Sequence, residues 1–302
     1  MLEEKMKKLL LLIVFAAIAS NLSGASITVK WTGTTSDDWG TESNWDAARL
    51  PSYYKVTGGN TGDYVWVNYL SNRPEGCTIS SGDHEIYSVF VMRDGLDDTS
   101  KQAILNLEGG SLNIKGYDFK MGVASTSSWY ASHPTAPSAV VNIYNGFTLN
   151  VNGAGGVTIG DYYDATLNMY GGTLNLNAGG FRVTNNAYNG GLGYAYGTLN
   201  LLDGVININT WNATLGQADL RDLTPKSKIN VGDGVMALTG DSTARLQAYA
   251  NLGLIEAMPG LTLSITFNPN VGERGTTYLT AVPEPATVML LSLGVVLLRK
   301  KK

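Results

Sequence analysis

Asp161 and Asp164, with Tyr162 and Tyr163 between them, are the residues best placed by type and spacing to do chemistry. Clustered carboxylates, or a Lys, Arg or Tyr base beside them, are what acid–base cleavage of a glycan requires. This cluster has little company along the chain. The matching points of neighbouring repeats carry Ala124-Ser125, Asn185-Asn186 and Gln217-Ala218, and Arg182 is the only Lys or Arg between Lys120 and Arg221. Asp161 and Asp164 are therefore read as surface turn residues, and no catalytic residue is assigned. His84 and His133 are isolated and show no metal-ligand spacing. Asp94, Asp97 and Asp98 lack the glycine-aspartate nonapeptide period of calcium-binding repeats and read as a solvated loop. There is no serine nucleophile elbow, phosphate loop or zinc motif. No metal and no cofactor is expected.

A second group of residues suits binding. Trp129 and Tyr130, Tyr162 and Tyr163, Tyr188, Tyr194 and Tyr196, and Trp211 fall in segments of variable length that recur at one place in a repeat. They should line one edge of the fold, where flat rings with nearby Asn and Asp suit stacking on a sugar and hydrogen bonding to its hydroxyls. The competing reading is that these rings cover the edge of the core.

The elements that must position these side chains are set by an internal repeat. Five segments align, running Ile104–Ile114, Val140–Val151, Thr166–Leu176, Thr198–Ile208 and Lys228–Leu238. Each has an apolar-Asn-apolar triplet, a glycine corner and a second such triplet, the last with Ala237 in place of Asn. The corner glycines are Gly110, Gly146, Gly172, Gly204 and Gly234, spaced 36, 26, 32 and 30 residues apart. A third apolar element follows at Phe119–Gly122, Val157–Gly160, Phe181–Val183, Ala213–Gly216 and Ala244–Leu246. Its last apolar residue lies 11, 13, 11, 11 and 12 residues past the corner glycine. A near-constant offset beside variable spacing elsewhere describes a coil of three short strands and one variable loop.

One such unit cannot bury its apolar face alone, so neighbours must stack. The expected fold is all-β: a single-stranded parallel β-solenoid (β-helix) of about five coils with terminal caps, plus a short C-terminal hydrophobic helix. Alternation puts Leu105 and Leu107 inside and Asn106 outside. Stacking then makes one ladder of Asn106, Asn142, Asn168, Asn200 and Asn230, and a second of Asn113, Asn150, Asn175 and Asn207 that breaks at Ala237. An antiparallel sandwich of glycine-turn hairpins is the alternative.

Composition agrees with a β fold. Glycine is 36 of 302 residues and charged residues are only 15 %, while short alternating runs of Val, Ile, Leu, Thr and Tyr replace any helical period. Between Ser26 and Pro283 there are fourteen Lys and Arg against twenty-two Asp and Glu, about −8, which argues against nucleic acid as a partner. The single cysteine, Cys77, cannot form an internal disulfide and is expected to be a small buried apolar residue.

Both ends read as addresses. Met6-Lys7-Lys8, the apolar run Leu9–Ala19 and the small residues Ser23-Gly24-Ala25 form a signal peptide over 1–25. Trp31, Trp39 and Trp45 mark a Trp-rich β cap over 26–101, followed by repeats over 102–250 and capping strands over 251–281. The tail, 282–302, has three parts: Val282-Pro283-Glu284-Pro285, an uncharged run over 286–298, and Arg299-Lys300-Lys301-Lys302. A thirteen-residue helix spans only about 20 Å, short of the roughly 30 Å hydrocarbon core. It suits transient contact with the membrane during sorting better than permanent anchoring, and the basic end is held on the cytoplasmic side.

This tail resembles the PEP-CTERM sorting domain of Gram-negative exported proteins. The resemblance implies recognition and cutting by an exosortase near the motif, passage through the inner membrane, and transfer to the cell surface or outer membrane, or to the exopolysaccharide matrix. The repeat resembles the β-strand repeats of autotransporter-associated proteins, and the Trp-rich opening resembles that of many secreted bacterial solenoids. Together these imply a structural or adhesive surface protein in contact with exopolysaccharide. A β-helix polysaccharide lyase or glycoside hydrolase is the alternative.

Overall fold

The computed structural model describes residues 27–56, 59–70, 72–93, 102–124, 138–184, 195–214, 217–221 and 223–284. The signal segment, the basic terminus and the apolar run 286–298 lie outside these residues, as do Trp129, Tyr130, Tyr188, Tyr194 and Pro285. Among the described residues the chain is all-β, with one α-helix, α1, over Thr243–Asn251 and a short 3-10 turn over Glu42–Asn44.

Six strands form a wholly parallel sheet in chain order: Thr28–Lys30, Tyr64–Val67, Ser88–Arg93, Asp118–Val123, Gly156–Ile159 and Gly180–Val183. Alternate residues point inward, so register stacks like on like. Val29, Val65, Val89, Phe119, Val157 and Phe181 make one inner row, and Val67, Val91, Met121, Ile159 and Val183 a second, all fully buried. Truncating Phe119 or Phe181 to Ala would cost about 3–5 kcal/mol, because the flanking rows cannot close the hole.

The second sheet has thirteen strands and is mixed. Its parallel part holds two ladders, one on each side of the glycine corners. In the first, Asn106, Asn142, Asn168, Asn200 and Asn230 are in register. In the second, Asn113, Asn150, Asn175 and Asn207 are in register and the row ends at Ala237. Each Asn Nδ2 donates to the Oδ1 of the Asn one repeat earlier, at 2.8–2.9 Å. A third row, Asn152, Asn177 and Asn209, bonds likewise at 3.0 and 2.8 Å and was not anticipated. Leu105 and Leu107 are fully buried and Asn106 is half-buried, as the alternation requires.

Gly110, Gly146, Gly172 and Gly204 turn their corners with φ from +67° to +89°, which only glycine adopts without strain. Gly234 is different: a Cβ there would sit 2.6 Å from the Leu201 side chain, so space demands the glycine.

The third element departs from expectation in its last two copies. Of the fourth copy Ala213 and Thr214 lie in a turn, Leu215 and Gly216 lie outside the described residues, and Leu220 bridges Phe181 in parallel. Ala244–Leu246 lies in α1, where Leu246 alone is buried. Alternation of small and apolar residues fits either state over so short a run, and burial of one face decided it for helix.

The two ends of the body are covered. Trp31, Trp39 and Trp45 are buried, with Trp39 and Trp45 edge to face at 4.6 Å. The buried Asn44 side chain accepts from the Thr35 and Ser36 amides and donates to Ser36 Oγ and the Asp38 carbonyl, so its amide is fully satisfied. Trp39 N–H donates to the Thr78 carbonyl and Thr78 N–H to that of Asp37, which closes the edge of the strand Cys77–Ile79. Cys77 is buried, and burial pushes its thiol well above the usual range. At the other end Leu261–Asn268 and Thr276–Pro283 pair antiparallel, and the latter lies antiparallel on Val235–Thr239. This antiparallel end makes the sheet mixed and leaves it open.

Candidate functional site

The outward positions of the six-stranded sheet form a row of a different kind. In register they read Lys30, Trp66, Phe90, Lys120, Thr158 and Arg182. Two positions earlier on the same strands stand Thr28, Tyr64, Ser88, Asp118, Gly156 and Gly180. A cleft of about 510 Å³ opens over this face, and its walls include Tyr64, Trp66, Phe90, Tyr117, Asp118 and Lys120.

The charges of the cleft are built by two strands and one turn. Asp118 and Lys120 share a strand two residues apart and so share its outward face. The turn after Gly156–Ile159 folds back: Asp161 N–H donates to the Met121 carbonyl, and the Tyr162 and Tyr163 amides to that of Gly122. This carries Asp161 to Lys120. Lys120 Nζ stands 3.2 Å from Asp118 Oδ2 and 3.7 Å from Asp161 Oδ2. Ser88 Oγ donates to Asp118 Oδ1 at 2.5 Å.

Burial pushes the Asp118 carboxyl above its ordinary value, although Lys120 and Ser88 pull it down. Burial also lowers Lys120, but Asp161 and Asp118 outweigh it and hold the ammonium above its ordinary 10.5. Asp118 Oδ2 accepts no well-aligned hydrogen bond, and Trp66 Nε1 has no acceptor.

The aromatic wall is ordered by its neighbours. Tyr64 and Phe90 lie nearly parallel, 17° apart with centroids at 6.1 Å, and Tyr87 meets Tyr64 edge-on at 5.0 Å. The Arg93 guanidinium lies 4.5 Å from the Trp66 ring centre and 4.6 Å from that of Phe90, with Lys30 Nζ 4.8 Å from Trp66. Arg93 follows Met92, whose φ of +60° bends the strand at its end.

The residues singled out in the sequence fare unequally. Asp161 is 5 % exposed and ion-paired, which corrects its reading as a surface turn residue. Asp164 is exposed and accepts the Tyr196 amide at 2.7 Å. Tyr162 and Tyr163, expected as glycan contacts, are buried in the core cluster; Tyr163 offers no open face, and Tyr162 reaches the cleft only at its wall. The turn that delivers Asp161 presses both rings inward. Tyr196 is exposed, with Lys226 Nζ 5.0 Å from its ring centre. Trp211 is half-buried under the Arg274 guanidinium. Trp129, Tyr130, Tyr188 and Tyr194 lie outside the described residues, as do Asp94, Asp97, Asp98 and His133. Tyr64, Trp66, Phe90, Asp118 and Lys120 were not singled out. The one local signal was the strand Asp118-Phe119-Lys120-Met121, which alternates charge with apolar side chains.

The sorting motif begins inside the fold. Val282 and Pro283 pair with Thr262 and Leu261 as the end of the last strand, and Glu284 N–H donates to the Gly260 carbonyl at 3.2 Å. All three side chains are exposed. Among the described residues no helix is long and apolar enough to cross a membrane.

Comparison with protein families agrees with the tail. Residues 281–302 match the PEP-CTERM protein-sorting motif. The match lies wholly in the tail and does not extend to the repeats. Comparison with curated proteins and with solved structures finds no match. The class this defines is that of exported proteins of Gram-negative-type bacteria that are substrates of an exosortase. This chain carries that motif directly after the last strand of an all-β body.

Proposed function

We propose that this is a surface or extracellular-matrix protein with a structural or adhesive role, delivered by its tail and associated with exopolysaccharide. Its body is read as a parallel β-solenoid of about five coils with a cap at each end. The observation that carries this reading is the register: the asparagine rows and the inner apolar rows advance together, one residue per repeat, up to the strand that enters the sorting motif. Such a body is a rigid spacer with a long side surface, and its role follows from where it is placed. Before processing, the apolar run contacts the inner membrane; afterwards the protein belongs to the cell surface, outer membrane or matrix.

A second reading, a polysaccharide lyase or glycoside hydrolase, is favoured by one observation, the Asp118–Lys120–Asp161 cluster in an open cleft. Incubating the full chain with exopolysaccharide from the producing bacterium separates the two. Saturable retention with no new reducing ends or unsaturated products is expected. Release of shortened chains would replace the structural reading with the enzymatic one.

A further inference from the structure

We propose that the cleft on the outer face of the six-stranded sheet is a binding site for a neutral polysaccharide chain laid across the strands. The proposal rests on the reading of the protein as exopolysaccharide-associated and gives that contact an address. It differs from the aromatic loop edge expected from the sequence.

Four features select the ligand. The volume, about 510 Å³, suits a short run of sugar units. Tyr117, about half exposed, and the partly exposed Tyr64 and Trp66 give ring surface against which the C–H face of a pyranose packs, with the buried Phe90 behind them. Parallel strands are about 4.8 Å apart, close to the length of one pyranose unit, so successive sugars meet successive strands. Trp66 Nε1, at the cleft wall, is a donor without an acceptor inside the fold, whereas Asp118 is already held by Lys120 and Ser88. A sugar hydroxyl oxygen can accept from the indole.

Charge decides between neutral and acidic glycans. Lys120 is already held by Asp118 and Asp161, so the cleft's two cations, Lys120 and Arg93, face two carboxylates. An acidic chain would compete with these carboxylates for Lys120 and meet repulsion from both. A neutral chain leaves the pair intact.

The test is binding of the full chain to exopolysaccharide from the producing bacterium, comparing wild type with Trp66→Ala, Tyr117→Ala and, on the opposite ladders, Tyr170→Ala. Tyr117 and Tyr170 are both about half exposed, so neither substitution threatens the fold, and thermal unfolding verifies all three variants. Expected is binding by wild type and Tyr170→Ala, weakened about tenfold or more by Trp66→Ala and Tyr117→Ala. Binding should hold between about 0.05 and 0.5 M salt, because no net charge is exchanged. Wild-type binding that Tyr117→Ala leaves unchanged would overturn the cleft while the broader reading stood. Loss of binding with salt would overturn the neutral ligand. No binding by wild type would remove both the cleft and the polysaccharide association.

Discussion

At the scale of single residues, Lys120 has the most consequence. Its side chain is 17 % exposed, and its ammonium stands between two carboxylates that are 0 % and 3 % exposed. Removing one partner of a buried pair leaves the other charge uncompensated, which costs about 3–5 kcal/mol. Lys120→Met is therefore expected to lower stability by that order at neutral pH. The penalty should shrink as pH falls, because burial has raised the Asp118 carboxyl above its ordinary value and a protonated Asp118 no longer needs a cation. In the wild type the linkage has the opposite window. The Lys120 pKa is raised above 10.5, so its contribution is complete below that value and is lost as pH rises through the folded-state pKa. Urea midpoints of both proteins at acid, neutral and alkaline pH check the two directions; a penalty independent of pH would contradict the ion-pair account.

This cluster shows where sequence reading stopped. Asp161 stands out beside Tyr162 and Tyr163, but its partner Lys120 lies forty-one residues earlier, and the two meet only because Asp161 N–H closes on the Met121 carbonyl. Trp66 and Phe90 reach the same row through register across loops of unequal length. Register between strands is a property of the stack, and a scan along one strand cannot reveal it.

At the scale of elements, the asparagine rows and glycine corners carry the architecture, and both were legible because each recurs with the sequence repeat. An interior Asn donates to one neighbour and accepts from the other, while Asn230, last in its row, only donates to Asn200. Asn168→Ala therefore removes the bonds to Asn142 and Asn200, while Asn230→Ala removes only that to Asn200. The interior change should cost about 1–3 kcal/mol and roughly twice the end change. Equal losses in chemical denaturation would mean that the row is not cooperative. The corners separate two causes. Gly146→Ala meets nothing within 4 Å, so it should cost only the left-handed backbone, about 1–2 kcal/mol. Gly204→Ala adds a Cβ 2.5 Å from the Gly171 carbonyl oxygen and should cost clearly more. The same stacking explains what was hidden. Met92 and Thr184 hold φ of +60° and +74° at the strand ends where Gly122 and Gly160 stand in the strands between. Without glycine at these points the corner leaves no trace in the sequence. α1 was hidden for another reason: Leu246 stands at the offset from the glycine corner where the repeat places an apolar strand residue.

At the scale of the whole molecule, the fold and the sorting tail meet without a linker. The last strand runs to Pro283, Glu284 is tied to Gly260, and the uncharged run starts at 286. A cut beyond Glu284 leaves every backbone bond of the final hairpin in place. A chain ending at Pro285 should therefore melt within a degree or two of the chain that keeps its tail. A chain ending at Gly275 loses the strand that buries Thr277 and Leu279 and should melt well below it. Similar melting of all three would show that the hairpin does not close the stack.

The claim on which the account rests is delivery by the tail. It is tested most directly by the intact mass of the protein recovered from the surface of the producing cells, with and without their exosortase. The account predicts a C-terminus between Pro283 and Ala286 in normal cells, and a retained tail on protein held back in cells without the enzyme. Surface-exposed protein that still ends in Lys302 would contradict it.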